Sequence, residues 1–113
     1  MYKKIINLIK SALDEIGAKS KQNIQIIFFG SYLKGNYTSS SDVDVVVIVD
    51  ERNKSISDII MNVFTDISID NNLYFSPIIL SNKDFKDKLK KKDPFIVNLV
   101  KEGASYGREL QSQ

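Results

Sequence analysis

The stretch FFGSYLKGNYTSSSDVDVVVIVD, Phe28 to Asp50, decides how this chain is read. It opens on the end of a β-branched and aromatic run, Ile24 to Phe29, which is short, apolar and halted by Gly30, as a buried strand is. GSYLKG then leaves room for one helical turn between two glycines, and a polar loop, Asn36 to Ser41, leads into a second strand from Asp42 to Val49. After its first three positions that strand is apolar on both faces, which places it at the centre of a sheet. Residues two apart on a strand share a face, so Asp42 and Asp44 present paired carboxylates at its start while Val43 and Val45 pack behind them.

Two acidic side chains entering a valine-rich strand are costly without a cation or partners. Their oxygens make a hard-cation site, and magnesium, held by one or two carboxylates plus substrate phosphates, suits a site this sparse. Upstream, Gly30 lets a ligand approach the backbone closely, and Ser31 offers a hydroxyl beside the amides of a short helical turn, a means of gripping phosphate. Together these groups resemble half of a nucleoside triphosphate site, in which a metal bridges phosphate oxygens and neutralises charge on leaving pyrophosphate. With each fixed residue type at roughly 5–7% abundance, chance places Gly-Ser, ten residues and Asp-x-Asp in about one chain of this length in a thousand.

Outward from the motif, Ile5, Leu8, Ile9, Ala12, Leu13 and Ile16 recur at helical spacing, with Gly17 as the expected stop. Ser55 or Ser57 is the expected cap of a helix carrying Ile59, Ile60, Val63, Phe64 and Ile67, and Asp70, Asn71 and Asn72 end it. A third strand follows over Leu73 to Leu80, and Pro77 inside it predicts a sheet edge or a bulge. Ser81 caps a lysine-rich helix from Asn82 to Lys92, and Asp93-Pro94 starts a last helix that ends at Gly103. The expected fold is α+β (or α/β): a small mixed sheet packed against helices.

At 113 residues, with 42% hydrophobic and 27% charged, the chain is sized for one domain over residues 1–113 and can bury a core. A formal charge of +2 does not suggest bulk nucleic-acid binding. The absence of cysteine and histidine removes disulfides, thiol and imidazole catalysis and thiolate or imidazole zinc sites, and fits a cytoplasmic protein. No stretch approaches the roughly 20 apolar residues of a membrane span, and the basic N-terminus is interrupted too soon for a signal peptide.

With Gly30-Ser31, ten residues and Asp42-Val43-Asp44, the chain resembles the minimal nucleotidyltransferases of the DNA polymerase beta superfamily, and EGASYG, Glu102 to Gly107, is similar to the tails they carry. The resemblance implies triphosphate binding by Gly30 and Ser31 and magnesium binding by the catalytic pair Asp42 and Asp44. It further implies transfer of AMP from ATP to a hydroxyl, on a HEPN-domain partner protein, as the antitoxin of a toxin–antitoxin pair. One departure bears on activity. Members with full activity usually carry a third acid on a later strand, whereas LYFSPIIL has none, and Tyr74 and Ser76 are the residues expected to face the site. A second reading follows, a nucleotide-binding module that neutralises its partner by occlusion.

Other features have plainer readings. Lys34 is either a triphosphate contact or a solvated loop lysine, and Tyr37 either stacks on a base or covers the core. The basic stretch from Lys83 to Lys92 reads first as a solvated helix face and second as a surface for RNA or an acidic partner. Asp66 and Asp70 are poor substitutes for the missing acid, lying in or at the end of a predicted helix.

Overall fold

The structure, a computed structural model, describes residues 1–107. Its elements run α1 (Tyr2–Ser20), β1 (Ile24–Phe29), α2 (Ser31–Lys34), β2 (Val43–Val49), α3 (Lys54–Asn71), β3 (Phe75–Ser81), α4 (Asn82–Lys90), α5 (Pro94–Glu102) and β4 (Ala104–Gly107). The strands form one mixed sheet in the order β3-β2-β1-β4, with β2 parallel to β3 and antiparallel to β1, and β4 antiparallel to β1. This is the mixed sheet with packed helices that the sequence predicts, with β2 inside it.

Alternation along the strands sorts the apolar side chains into two layers. Val43, Val45, Val47 and Val49 of β2, with Ile24, Ile26 and Phe28 of β1, meet Ile5, Ile9, Ala12 and Ile16 of α1 and Ile56, Ile60, Val63 and Phe64 of α3. Burial of this apolar surface is the main favourable term in folding. On the opposite face Ile27, Val46 and Ile48 meet Ile96 and Leu99 of α5, with Phe85 and Leu89 of α4 packed at the margin. Asp44 lies two residues before Val46 and so belongs to this second, less completely covered face.

Several boundaries differ from expectation, each for a local reason. The first helix runs past Gly17 to Ser20, because Lys21 adopts a left-handed conformation and its N–H closes the last turn on Gly17 O at 2.9 Å. The cap of α3 is Asn53, whose side chain accepts from Ile56 N at 2.9 Å; this starts the helix ahead of Ser55 and Ser57 and leaves both inside it. Leu73 and Tyr74 precede β3, since the Leu73 N–H bonds Ser68 O at the exit of α3, and Phe75 N is held by Ser68 Oγ at 3.0 Å. Pro77 sits on the sheet edge without a bulge, in unbroken register opposite Val45.

The last two helices begin as read. Ser81 accepts from Asp84 N, and Asp93 from Phe95 N and Ile96 N. The lysine-rich helix ends at Lys90, two residues short of Lys92. Gly103 does close α5, but in extended backbone and not in the left-handed form, because the chain passes straight into β4. A Cβ at 103 would stand 2.5 Å from Ile27 Cγ2 and 2.6 Å from Leu99 O, so close packing against β1 is what requires glycine there.

Candidate functional site

The β1–α2 junction and the start of β2 meet at one point. Phe29, the last residue of β1, is paired with Asp44, and Gly30 follows as the cap of α2 with φ 87° and ψ −161°. That backbone region is essentially open only to glycine. Space dictates the same residue, because a Cβ on Gly30 would run into Asp44 Oδ2 and lie 3.1 Å from Asp44 Cγ. Gly30 and Asp44, fourteen positions apart, are thus in contact, and Ser31 is the first residue of the short helix beside them. Asp42 is exposed, one residue ahead of β2.

The loop delivering Asp42 is internally braced. Ser41 Oγ accepts from Thr38 N at 2.9 Å, Thr38 O accepts from Ser41 N at 3.1 Å, and the Tyr37 ring stacks on Tyr32 with centroids 4.3 Å apart. Tyr37 is therefore occupied in covering Tyr32, which roots the loop in the core. The Val43 N–H bonds Tyr74 O at 2.7 Å and ties the start of β2 to the segment entering β3.

Asp44 holds its proton more tightly than an ordinary aspartate. Burial is the larger cause, and the charge of Asp42 is the second. The parallel register sets Ser76 of β3 directly beside Asp44, so the position facing the pair carries a hydroxyl, while Tyr74 lies before the strand and is 73% exposed. Asp66 and Asp70 are exposed on α3, the helix packed against the opposite face of the sheet.

Residues 9–104 match the family described as the nucleotidyltransferase domain. The chain belongs to that family. Among curated proteins, the domain is similar to three from Methanocaldococcus jannaschii, each named "Putative protein adenylyltransferase". One is 30% identical over 108 residues, covering 94% of this chain and 98% of the relative. A second is 33% identical over 105 residues, covering 82% and 67%. The third is 28% identical over 96 residues, covering 84% and 90%. No solved structure matches the chain at a significant level.

Nucleotidyltransferases usually work with a divalent metal, and the donor set of this domain fits one. Among the described residues no group of three or more His, Cys, Asp or Glu gathers to hold a metal, so a cation here would rest on Asp42 and Asp44. Both offer hard oxygens, and the repulsion and desolvation that raise the proton affinity of Asp44 are what a bound cation relieves.

The second face of the nucleotidyltransferase domain also carries a cleft of about 240 Å³ between α2 and α5, bordered by Gly30 on one side and by Phe95 and Asn98 on the other. Lys34 lines it and is paired with Glu102 of α5 at 3.6 Å. Sequence reasoning did not find Phe95, Asn98 or Glu102 as site neighbours. The one available signal was Asn98, a polar residue interrupting the apolar run FIVNLV.

Proposed function

We propose that this domain transfers AMP from ATP to a hydroxyl of a protein partner, with Gly30 and Ser31 holding the triphosphate and Asp42 and Asp44 holding magnesium. The observation that carries the reading is the contact of Gly30 with the carboxylate of Asp44, which brings the Gly30-Ser31 turn to the acidic pair. The names of the relatives support protein adenylylation in particular. In the reaction the acceptor oxygen forms a bond to the α-phosphorus, the α–β phosphoanhydride bond breaks, pyrophosphate leaves, and the acceptor's proton passes to a base. Magnesium, when bound, neutralises charge on the phosphates and the leaving pyrophosphate. Asp42 and Asp44 would hold it at the start of β2, and Gly30 gives the backbone room for close approach.

The acceptor in this reading is a HEPN-domain toxin, modified on a tyrosine by this chain as its cytoplasmic antitoxin. Incubating the two proteins with labelled ATP and magnesium tests it directly. Label is expected on the partner with wild type and not with Asp42→Asn or Asp44→Asn, and a partner left unlabelled by wild type with every divalent metal sinks the enzymatic reading.

A second reading has its own observation, the hydroxyl of Ser76 at the position beside Asp44. A serine hydroxyl does not replace a carboxylate as a base at neutral pH. In this reading the domain neutralises the partner by binding alone, and the aspartate variants still suppress toxicity. Loss of suppression in variants that fold and bind normally decides against it.

A further inference from the structure

The cleft between α2 and α5 has a chemistry unlike that of the acidic pair it adjoins. Its walls are the rings of Phe29 and Phe95 and the side chains of Leu33 and Leu99. Lys34, the one cation among its lining residues, is already paired with Glu102, so the cleft has no excess positive charge for a phosphate. Apolar and aromatic walls with one neutral carboxamide, Asn98, suit a flat heteroaromatic ring with hydrogen-bonding edges. The volume of about 240 Å³ is below the roughly 300–1,000 Å³ of pockets that enclose drug-sized ligands. It therefore has room for a base, with sugar and phosphates left outside.

Position supplies the rest. Gly30 lines the cleft and also touches the Asp44 carboxylate, so phosphates lying along Gly30 and Ser31 leave the other end of a nucleotide within reach of α5. Phe95 is 42% exposed near the start of α5, and Phe29 holds its ring edge-on at 5.5 Å and 77°. Asn98 lies three residues further along, on the same side of the helix. We propose that this cleft is the nucleobase subsite of the domain and takes a purine, with Phe95 as its stacking wall and Asn98 as the residue that reads the base edge. An asparagine amide pairs in two hydrogen bonds with adenine, which makes ATP the preferred nucleotide. The assignment rests on the nucleotide site proposed above and adds to it the residues that choose the base.

The test is calorimetric titration of the whole chain with the magnesium complexes of ATP, GTP, CTP, UTP and inorganic tripolyphosphate. Wild type is expected to bind ATP more tightly than tripolyphosphate. Phe95→Ala should lower ATP affinity about tenfold, in line with base–aromatic stacking elsewhere, and leave tripolyphosphate binding unchanged. Asn98→Ala should flatten the preference for ATP over the other three nucleotides. Each variant is judged by the ratio of ATP to tripolyphosphate affinity within itself, and Phe95→Leu, which keeps apolar bulk without the ring, replaces any Phe95→Ala protein that does not fold. Equal binding of ATP and tripolyphosphate by wild type, or ratios unmoved by the variants, overturns the base subsite and leaves the phosphate and metal site standing. If wild type binds neither ligand with magnesium, both proposals fall together.

Discussion

Gly30 is held by two independent constraints, a backbone conformation closed to side chains and the carboxylate of Asp44 filling the space a Cβ needs. Gly30→Ala is therefore expected to destabilise the fold by about 1–3 kcal/mol and to turn the Asp44 carboxylate away, so that the melting temperature falls and any response to magnesium is lost with it. Asp44 supplies a prediction of opposite sign. Its folded pKa lies above the ordinary 3.8 through burial and the charge of Asp42, so just above pH 3.8 the native state holds more protons than the unfolded chain. Stability contributed by this group is consequently lost as pH rises through that window and regained on acidification. Asp44→Asn removes the effect: in metal-free buffer at neutral pH it should melt no lower than wild type, and the difference between the two should shrink as pH falls toward 4. A variant that melts well below wild type at neutral pH would show that Asp44 has a stabilising partner instead. Gly30, Ser31, Asp42 and Asp44 were legible as candidates from their spacing, because the chemistry of a glycine, a hydroxyl and two carboxylates is written in residue type. Phe95, Asn98 and Glu102 were not, since only the packing of α5 onto β1 brings them to Gly30.

For the elements, legibility followed how much of each was decided locally. The run Ile24 to Phe29 is a strand with the bounds its composition predicts, and Ser81 and Asp93 cap the helices they precede. Where two signals competed, tertiary and neighbouring groups chose. Gly17 was overridden by one more turn of α1, and Asn53 took the cap from Ser55 and Ser57. The cap assignment is measurable. Asn53→Ala should cost about 1 kcal/mol, or about 4–8 °C of melting temperature in a domain of 60–100 residues, whereas Ser55→Ala, at an exposed position inside the helix, should stay within about 0.5 kcal/mol. Equal losses in the two variants would restore the serine to the capping role. The strand β4 was invisible to periodicity: ASYG is four residues long, and its strand character comes from pairing with β1, where Gln25 Nε2 reaches Ser105 Oγ at 2.6 Å.

At the scale of the molecule, one face of the sheet is sealed by α1 and α3, and the other is only partly covered by α4 and α5, which leaves the acidic pair accessible beside a rigid core. A ligand that binds only this native arrangement stabilises all of it, by about 2.7 kcal/mol at one hundred times its dissociation constant. Magnesium with ATP is therefore expected to raise the melting temperature of wild type, less so in Ser31→Ala and not at all in the Asp42→Asn, Asp44→Asn double variant. Identical thermal responses in wild type and the double variant would remove Asp42 and Asp44 from nucleotide binding. The sheet order has a separate consequence for the protein as it is being made. The strand β1, which ends at Phe29, acquires β2 as a neighbour early in synthesis, but its other flank is closed by residues 104–107, about eighty positions later. Until that segment leaves the ribosome, β1 presents a bare row of amides and carbonyls, a template for a neighbouring nascent chain. Slow translation through the codons for Lys90 to Gly103 would lengthen that exposure, and the yield of native protein should track how quickly the ribosome crosses them.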